Sequence, residues 1–283
     1  MAKKWIIQLF IARNTNTPMA VIPGRTKTTT PEVYVIDGEI GAGKSTLLHT
    51  LAETIRKKGL EVCTVPEPVA LWREIGILAK FYANPSEEAF TFQVCTFATR
   101  TQAMQDAVAL QPNADIYILE RTILTDRNVF MELQRDMVDE CDMKIYELIF
   151  KPYAKMTPLD LTTAKYIYLK PSLEECMTRV STRGREEEVT TVEGKKEMPA
   201  KGGVSLTYQT MLRKAHEAYL QGMHTKIFPK MPERPFSLDQ VVVIEGVIAD
   251  GNFKNDHPDS KGIAEAILLQ LGLTAARSPL ESK

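Results

Sequence analysis

The sequence predicts an α/β fold, a parallel β-sheet of about five strands flanked by helices. Two observations carry this. Short apolar runs of strand type alternate with helix-like stretches of more than ten residues, and a glycine-rich turn joins the first such run to the first helix. The 283 residues are 44% hydrophobic and 25% charged, ordinary for a globular chain and unlike a disordered, collagenous or coiled-coil one. The 35 Lys and Arg balance 36 Asp and Glu, so no nucleic-acid partner is advertised. No apolar run reaches the ~20 residues of a membrane-spanning helix, and no membrane partner is expected. Cys63, Cys95, Cys141 and Cys176 lack metal-ligand spacing and point to a reducing, cytoplasmic setting.

Along the chain, residues 1 to 31 come first, with Lys3, Lys4, Arg13, Arg25 and Lys27 and no acid. This reads as a disordered leader or a transit peptide, which keeps a mitochondrial location as the alternative. Residues 32 to 283 then hold 30 bases and 36 acids, a body of net −6, so any phosphate chemistry must use local positive charge. Glu32 to Asp37 is a short buried strand. After the glycine turn, Lys44 to Lys58 places Leu47, Leu48, Leu51 and Ile55 on one helical face, and Gly59 closes it.

Further strands are expected at Glu61 to Val65, Asp115 to Leu119, Lys165 to Leu169 and Val241 to Glu245, with a helix over 205 to 221. Asn84-Pro85-Ser86-Glu87 reads as a helix start, with an N-cap residue, proline at the first helical position and a glutamate three residues after the cap. Counting on from it at 100° per residue puts Ala89, Phe92, Gln93, Thr96 and Arg100 on one face, an aromatic, an amide and a guanidinium together. The tail, 273 to 283, reads as loose.

The glycine turn is Gly38-Glu39-Ile40-Gly41-Ala42-Gly43-Lys44-Ser45, which matches G-x-x-x-x-G-K-[ST] in the required position between strand and helix. This makes the sheet one of the P-loop NTPase type. Glycines let backbone N–H groups surround phosphates, Lys44 reaches the outer phosphates, and the Ser45 hydroxyl suits Mg²⁺. Gly38, Gly41, Ala42, Gly43, Lys44, Ser45 and Thr46 are the expected phosphate-binding residues. The motif leaves the acceptor open among GTPases, motors, nucleotide kinases and nucleoside kinases. Two carboxylates, Glu67 and Glu120, follow predicted strands, where ligands bind in a parallel sheet.

These residues together resemble the deoxyribonucleoside kinase family, in its deoxycytidine and deoxyguanosine kinase branch, over about 32 to 272. The ordered motifs are the P-loop, Glu67-Pro68-Val69 with Trp72, Phe90-Thr91-Phe92-Gln93, Glu120-Arg121-Thr122 with Asp126-Arg127, and Arg179-x-x-x-Arg183-Gly184-Arg185-x-x-Glu188. The resemblance implies that ATP or another nucleoside triphosphate gives its terminal phosphate to the 5′-hydroxyl of a deoxyribonucleoside in nucleotide salvage, with Mg²⁺ and as a homodimer. It implies that Glu67 is the general base, that Arg121 holds Glu67 and the hydroxyl, and that Glu120 joins Ser45 at Mg²⁺. Gln93 would bond the base edge, Trp72, Phe92 and Phe130 would pack around it, and Tyr82 and Glu188 would bond the 3′-hydroxyl. Arg179, Arg183 and Arg185 would form a lid over the transferring phosphate.

Arg100 paired with Asp126 marks, in the resembled family, a preference for deoxycytidine, deoxyadenosine or deoxyguanosine over thymidine. Thr96 stands at a pocket position where alanine or serine is usual. Thr122 replaces the usual serine, and 15 residues, Val189 to Gly203, lengthen the lid, which spans 179 to 204. The competitors are a nucleoside monophosphate kinase of thymidylate type and a non-catalytic kinase-like accessory subunit. The intact Lys44, Glu67, Arg121 and Arg183 speak against the latter.

Overall fold

A computed structural model describes residues 30–185, 188, 203–253 and 260–273. The leader before Thr30, nearly all of the lid insertion and the tail beyond Leu273 lie outside them.

Five strands, β1 (Glu32–Asp37), β2 (Val62–Val65), β3 (Ile116–Glu120), β4 (Lys165–Lys170) and β5 (Val241–Glu245), form one sheet in the order β2-β3-β1-β4-β5, every pair parallel. β1 is the central strand, and its alternate side chains enter two different cores. Tyr34 and Ile36 pack with Leu47 and Leu51 of α1 (Lys44–Arg56) and with Ala264 and Ile267 of the last helix, Ser260–Gln270. Val33 and Val35 pack on the other face with Leu212 and Tyr219 of the helix Leu206–Gln221. Burial on both faces is why these strands are apolar without alternation.

The remaining helices are α2 (Val69–Glu74), α3 (Ile77–Ala83), α4 (Pro85–Leu110), α5 (Glu140–Lys155), α6 (Leu173–Arg183), α7 (Leu206–Gln221) and α8 (Ser260–Gln270), besides shorter turns. Side-chain caps start several of them: the Asp139 carboxylate accepts from Asp142 N at 2.8 Å, Ser172 Oγ from Glu175 N at 3.2 Å and Ser205 Oγ from Tyr208 N at 3.0 Å. α1 stops at Arg56, two residues short of the expected end, because Lys58 and Gly59 turn back onto the Ile55 and Arg56 carbonyls, with Gly59 at φ +83°.

α4 begins at Pro85 as expected, but Asn84 does not cap it with its side chain. The Asn84 Oδ1 instead accepts from the Ser86 hydroxyl at 3.1 Å, and only the Asn84 carbonyl meets the Glu87 and Glu88 N–H groups. The rotational phase is unaffected. Ala89, Phe92, Gln93, Thr96 and Arg100 are all buried on one side, while Phe97 packs on the other against Tyr146 and Phe150 of α5.

β2 and β3 lie to one side of β1, β4 and β5 to the other. The carboxyl end of β1 is therefore the topological switch point, where open α/β sheets bind ligands.

Candidate active site

The chain leaves β1 at this switch point and wraps into the P-loop before α1. Gly38 and Gly41 are required by space. A Cβ on Gly38 would stand 2.2 Å from the Leu169 carbonyl oxygen, and one on Gly41 would stand 2.3 Å from that of Cys176. Lys44 Nζ turns inward to donate to the Glu39 carbonyl at 2.8 Å. Burial and the nearby Arg121 push its pKa down, against the carboxylates of Glu120, Glu67 and Asp37, to about 8. Ser45 Oγ donates to Glu120 Oε1 at 3.0 Å.

Arg121 and Thr122 are the two residues between the end of β3 and the next helical turn, Ile123–Thr125. Thr122 caps that turn by accepting from Leu124 N at 3.2 Å. The chain reverses between these fixed ends by placing Arg121 at φ +62°, a left-handed conformation uncommon for a side chain of this size. Its Nη1 then donates to both Glu67 oxygens, at 2.8 and 3.1 Å, and Nη2 to the Gly38 carbonyl at 2.8 Å.

Glu67, just past β2, also accepts from Arg100 Nη2 at 3.0 Å, and Arg100 is held by Asp126 through bonds of 2.8 and 3.1 Å. Burial alone would raise the Glu67 pKa, but Arg121, Arg100 and Lys44 together hold it well below the ordinary carboxylate range. Asp126 opens a π-helical segment, Asp126–Phe130, a distortion that recurs at functional sites.

A cavity of about 690 Å³ runs from the P-loop to α4, lined by every expected site residue except Gly38 and Ala42, which lie beneath its floor. Trp72, Phe81 and Phe92 build one wall, with Phe81 and Phe92 stacked at 4.4 Å and Trp72 edge-on to Phe92 at 5.9 Å. Thr96 Oγ1 donates to the Gln93 carbonyl at 3.0 Å. Gln93 is 1% exposed, and neither its Nε2 nor its Oε1 has a hydrogen-bond partner among the described residues. A buried amide without partners is costly, and this one lines the cavity. Burial and the neighbouring Glu188 raise the Tyr82 phenol well above its usual pKa.

The arginines after β4 divide into two groups. Arg183 pairs with Glu188, and Arg185 Nη1 donates to the same carboxylate at 3.1 Å. Arg179 is committed to the protein. It donates to Glu175 at 2.7 Å, to the Ala42 carbonyl at 2.8 Å and to the Asp250 and Gly251 carbonyls at 2.9 Å each, with its guanidinium 5.7 Å from the Phe253 ring. It braces the P-loop against the segment 249–253, in place of the expected position free above a phosphate.

The sequence reading missed the polar support under the P-loop. Gln209 Nε2 donates to the Ile40 carbonyl at 2.5 Å while its Oε1 accepts from Ile40 N at 3.3 Å. Glu39, fully buried, accepts from Tyr168 at 2.8 Å and from Arg213 at 2.9 Å. Asp37 accepts from Gly38 N at 2.9 Å and from Thr125 Oγ1 at 2.5 Å, and meets His216 Nε2 at 2.9 Å. The signal was present in Gln209, Arg213 and His216, polar residues spaced four and three apart on one helix.

A family model described as deoxynucleoside kinase matches residues 34–268. The chain belongs to the deoxynucleoside kinase family. Among similar proteins, the one named probable deoxycytidine kinase of fowlpox virus is 33% identical over 223 residues, covering 78% of this chain and 80% of its own. Deoxycytidine kinase 2 of Gallus gallus is 25% identical over 245 residues, covering 78% and 83%. The deoxyadenosine/deoxycytidine kinase of Bacillus subtilis is 29% identical over 161 residues, covering 56% and 69%. This deoxynucleoside kinase is thus an enzyme that takes phosphate from a nucleotide donor, and among its described residues no helix is long and apolar enough to cross a membrane.

Proposed function

We propose that this deoxynucleoside kinase phosphorylates the 5′-hydroxyl of deoxycytidine, deoxyadenosine or deoxyguanosine in preference to thymidine, with ATP or another nucleoside triphosphate as donor. The observation that carries this is the unpartnered Gln93 amide on the same cavity wall as the buried Arg100–Asp126 pair. A bound base edge supplies the missing donor and acceptor. The amide can turn over to suit either pyrimidine, so the discrimination falls to the charged pair. Thymine carries a ring methyl that the other three bases lack, and packing a methyl against a buried ion pair is unfavourable. Three relatives whose names give deoxycytidine or deoxyadenosine as substrate support the same branch.

In this reading Glu67 takes the proton as the 5′-oxygen bonds to the terminal phosphorus and the bridging P–O bond of the donor breaks. A carboxylate held well below its ordinary pKa is always ionised but is a weak base. That suits a loose phosphoryl transfer, in which placement and charge dominate over early proton removal. Arg121 holds both carboxylate oxygens through its Nη1, and Lys44, Arg183 and Arg185 supply positive charge to the phosphates. Tyr82 and Glu188 take the 3′-hydroxyl, and the segment 249–253, which Arg179 ties to the P-loop, lies beside the donor phosphates. Ser45 and Glu120, two adjacent oxygen donors beside Lys44, fit Mg²⁺, which binds through one or two carboxylates together with substrate phosphates. When bound, the ion neutralises charge developing on those phosphates.

The enzyme acts as a homodimer in this reading, supported by Ile145 and Leu148 on the outer side of α5, 40% and 71% exposed. Its location in this reading is cytoplasmic, and imaging of the chain with and without residues 1 to 31 tests the mitochondrial alternative. Glu67→Gln tests the chemistry. Turnover falls by about 10²–10⁴ while calorimetry still detects nucleoside binding, and unchanged turnover removes Glu67 as the base.

A further inference from the structure

His216 lies outside the cavity, fully buried on α7, and no step assigned so far uses it. Its Nδ1 is 2.9 Å from the Leu212 carbonyl oxygen and its Nε2 is 2.9 Å from Asp37 Oδ1. A carbonyl oxygen can only accept, and so can an ionised carboxylate. Asp37 is ionised. Burial would raise its pKa, but His216, Arg121 and the Thr125 hydroxyl together draw it down to about 2. His216 Nε2 therefore donates to Asp37 Oδ1. The ring is stacked on Tyr168 at 5.7 Å and stands edge-on to Phe130 at 6.2 Å.

The ring stands at the end of a file of paired polar groups that runs to the reacting centre. His216 meets Asp37 at 2.9 Å, Asp37 meets Arg121 at 3.6 Å, Arg121 meets Glu67 at 2.8 Å, Glu67 meets Arg100 at 3.0 Å and Arg100 meets Asp126 at 2.8 Å. The weakest link is informative. Asp37 Oδ1 is already taken by Gly38 N–H and by His216, and Arg121 Nε, 3.6 Å away, has no hydrogen-bond partner among the described residues. If His216 released Asp37, that oxygen would be free to draw Arg121 Nε toward itself and pull the guanidinium off Glu67. A second contact acts in the same sense. The Phe130 ring carries Arg121 on its face at 4.8 Å and lies perpendicular to His216.

We propose that His216 is a positioning residue for phosphoryl transfer: by occupying Asp37 it keeps Arg121 turned toward Glu67. The inference rests on the reading of Glu67 and Arg121 as the pair that receives the 5′-hydroxyl proton.

The test compares His216→Gln, Asp37→Asn, the double variant and Glu67→Gln with the unaltered full chain. Readouts are kcat, both KM values, thermal midpoint and the fraction of molecules that bind deoxycytidine in calorimetry. His216→Gln lowers kcat per binding-competent site by about tenfold to a hundredfold, the effect of a small misplacement of a reacting group. Both KM values stay within about threefold, and the double variant is no worse than the poorer single one. A packing role alone would lower the midpoint and the competent fraction but leave kcat per competent site unchanged, which overturns the proposal. Additive losses in the double variant also overturn it, because they deny the route through Asp37. Should His216→Gln not fold, His216→Asn, whose shorter side chain leaves Asp37 Oδ1 without this partner, takes its place, and an unchanged kcat there overturns the proposal. Glu67→Gln separates the two readings. If it keeps full turnover, the underlying assignment has failed; if it collapses while His216→Gln does not, only the role of His216 has failed.

Discussion

Lys44, the residue proposed to meet the phosphate donor, is a cation weakened by its own burial. Its folded pKa of about 8 lies below the ordinary 10.5, so the charged form is lost as pH rises through about 8, before any exposed lysine responds. The kcat/KM for the donor, which reports groups of the free enzyme, is therefore expected to fall tenfold per pH unit above that point, and a flat profile to pH 10 contradicts it. Glu67 leaves the acid side of the profile flat. Its pKa is held down by Arg121, Arg100 and Lys44 against its burial, so the base remains ionised and kcat/KM shows no acid limb between pH 7 and 5. An inflection there lost in Glu67→Gln would show a base of ordinary or raised pKa. Glu67, Gln93, Arg100 and Glu120 were legible in the sequence because local rules place them, at strand ends or on one phase of a helix. Asp37 and His216 were not, because their bond joins residues 179 positions apart.

At the scale of elements, the strands were legible to within a residue or so because the inner ones are apolar runs buried on both faces and the half-buried edge strand β5 is a run of Val and Ile. The face of α4 was legible because Pro85 fixes its start, even though the Asn84 side chain bonds Ser86 and does not cap. Less legible was α7, whose hydrophobic pattern marks a helix but does not reveal that Gln209, Arg213 and His216 hold three successive parts of the P-loop approach, Ile40, Glu39 and Asp37. Arg179 was read as a phosphate contact because a basic helix end beside a P-loop invites that reading, and the carbonyls that engage it come from distant segments. Gln209→Ala tests the bracing. Leaving the Ile40 N–H and carbonyl unpaired is expected to lower stability by about 1–3 kcal/mol in denaturant unfolding and to raise the donor KM with little change in that of the nucleoside. Equal rises in both KM values would contradict a role confined to the P-loop.

For the whole molecule, a near-neutral total conceals a body of net −6 that concentrates its cations at one crevice. Lys44, Arg121 and the pair Arg183 and Arg185 come from three separate segments and line the same cavity. A homodimer predicts a gel-filtration or light-scattering mass near twice 31.8 kDa, and charged substitutions at Ile145 and Leu148 together are expected to yield the monomer. The most direct measurement is of kcat/KM for deoxycytidine, deoxyadenosine, deoxyguanosine and thymidine, with ATP and Mg²⁺ and with thymidine monophosphate as a fifth acceptor. The account predicts 5′-monophosphate formation from at least one of the first three well above that from thymidine, and no phosphorylation of the monophosphate. A thymidine value above all three, or turnover with the monophosphate alone, would contradict it.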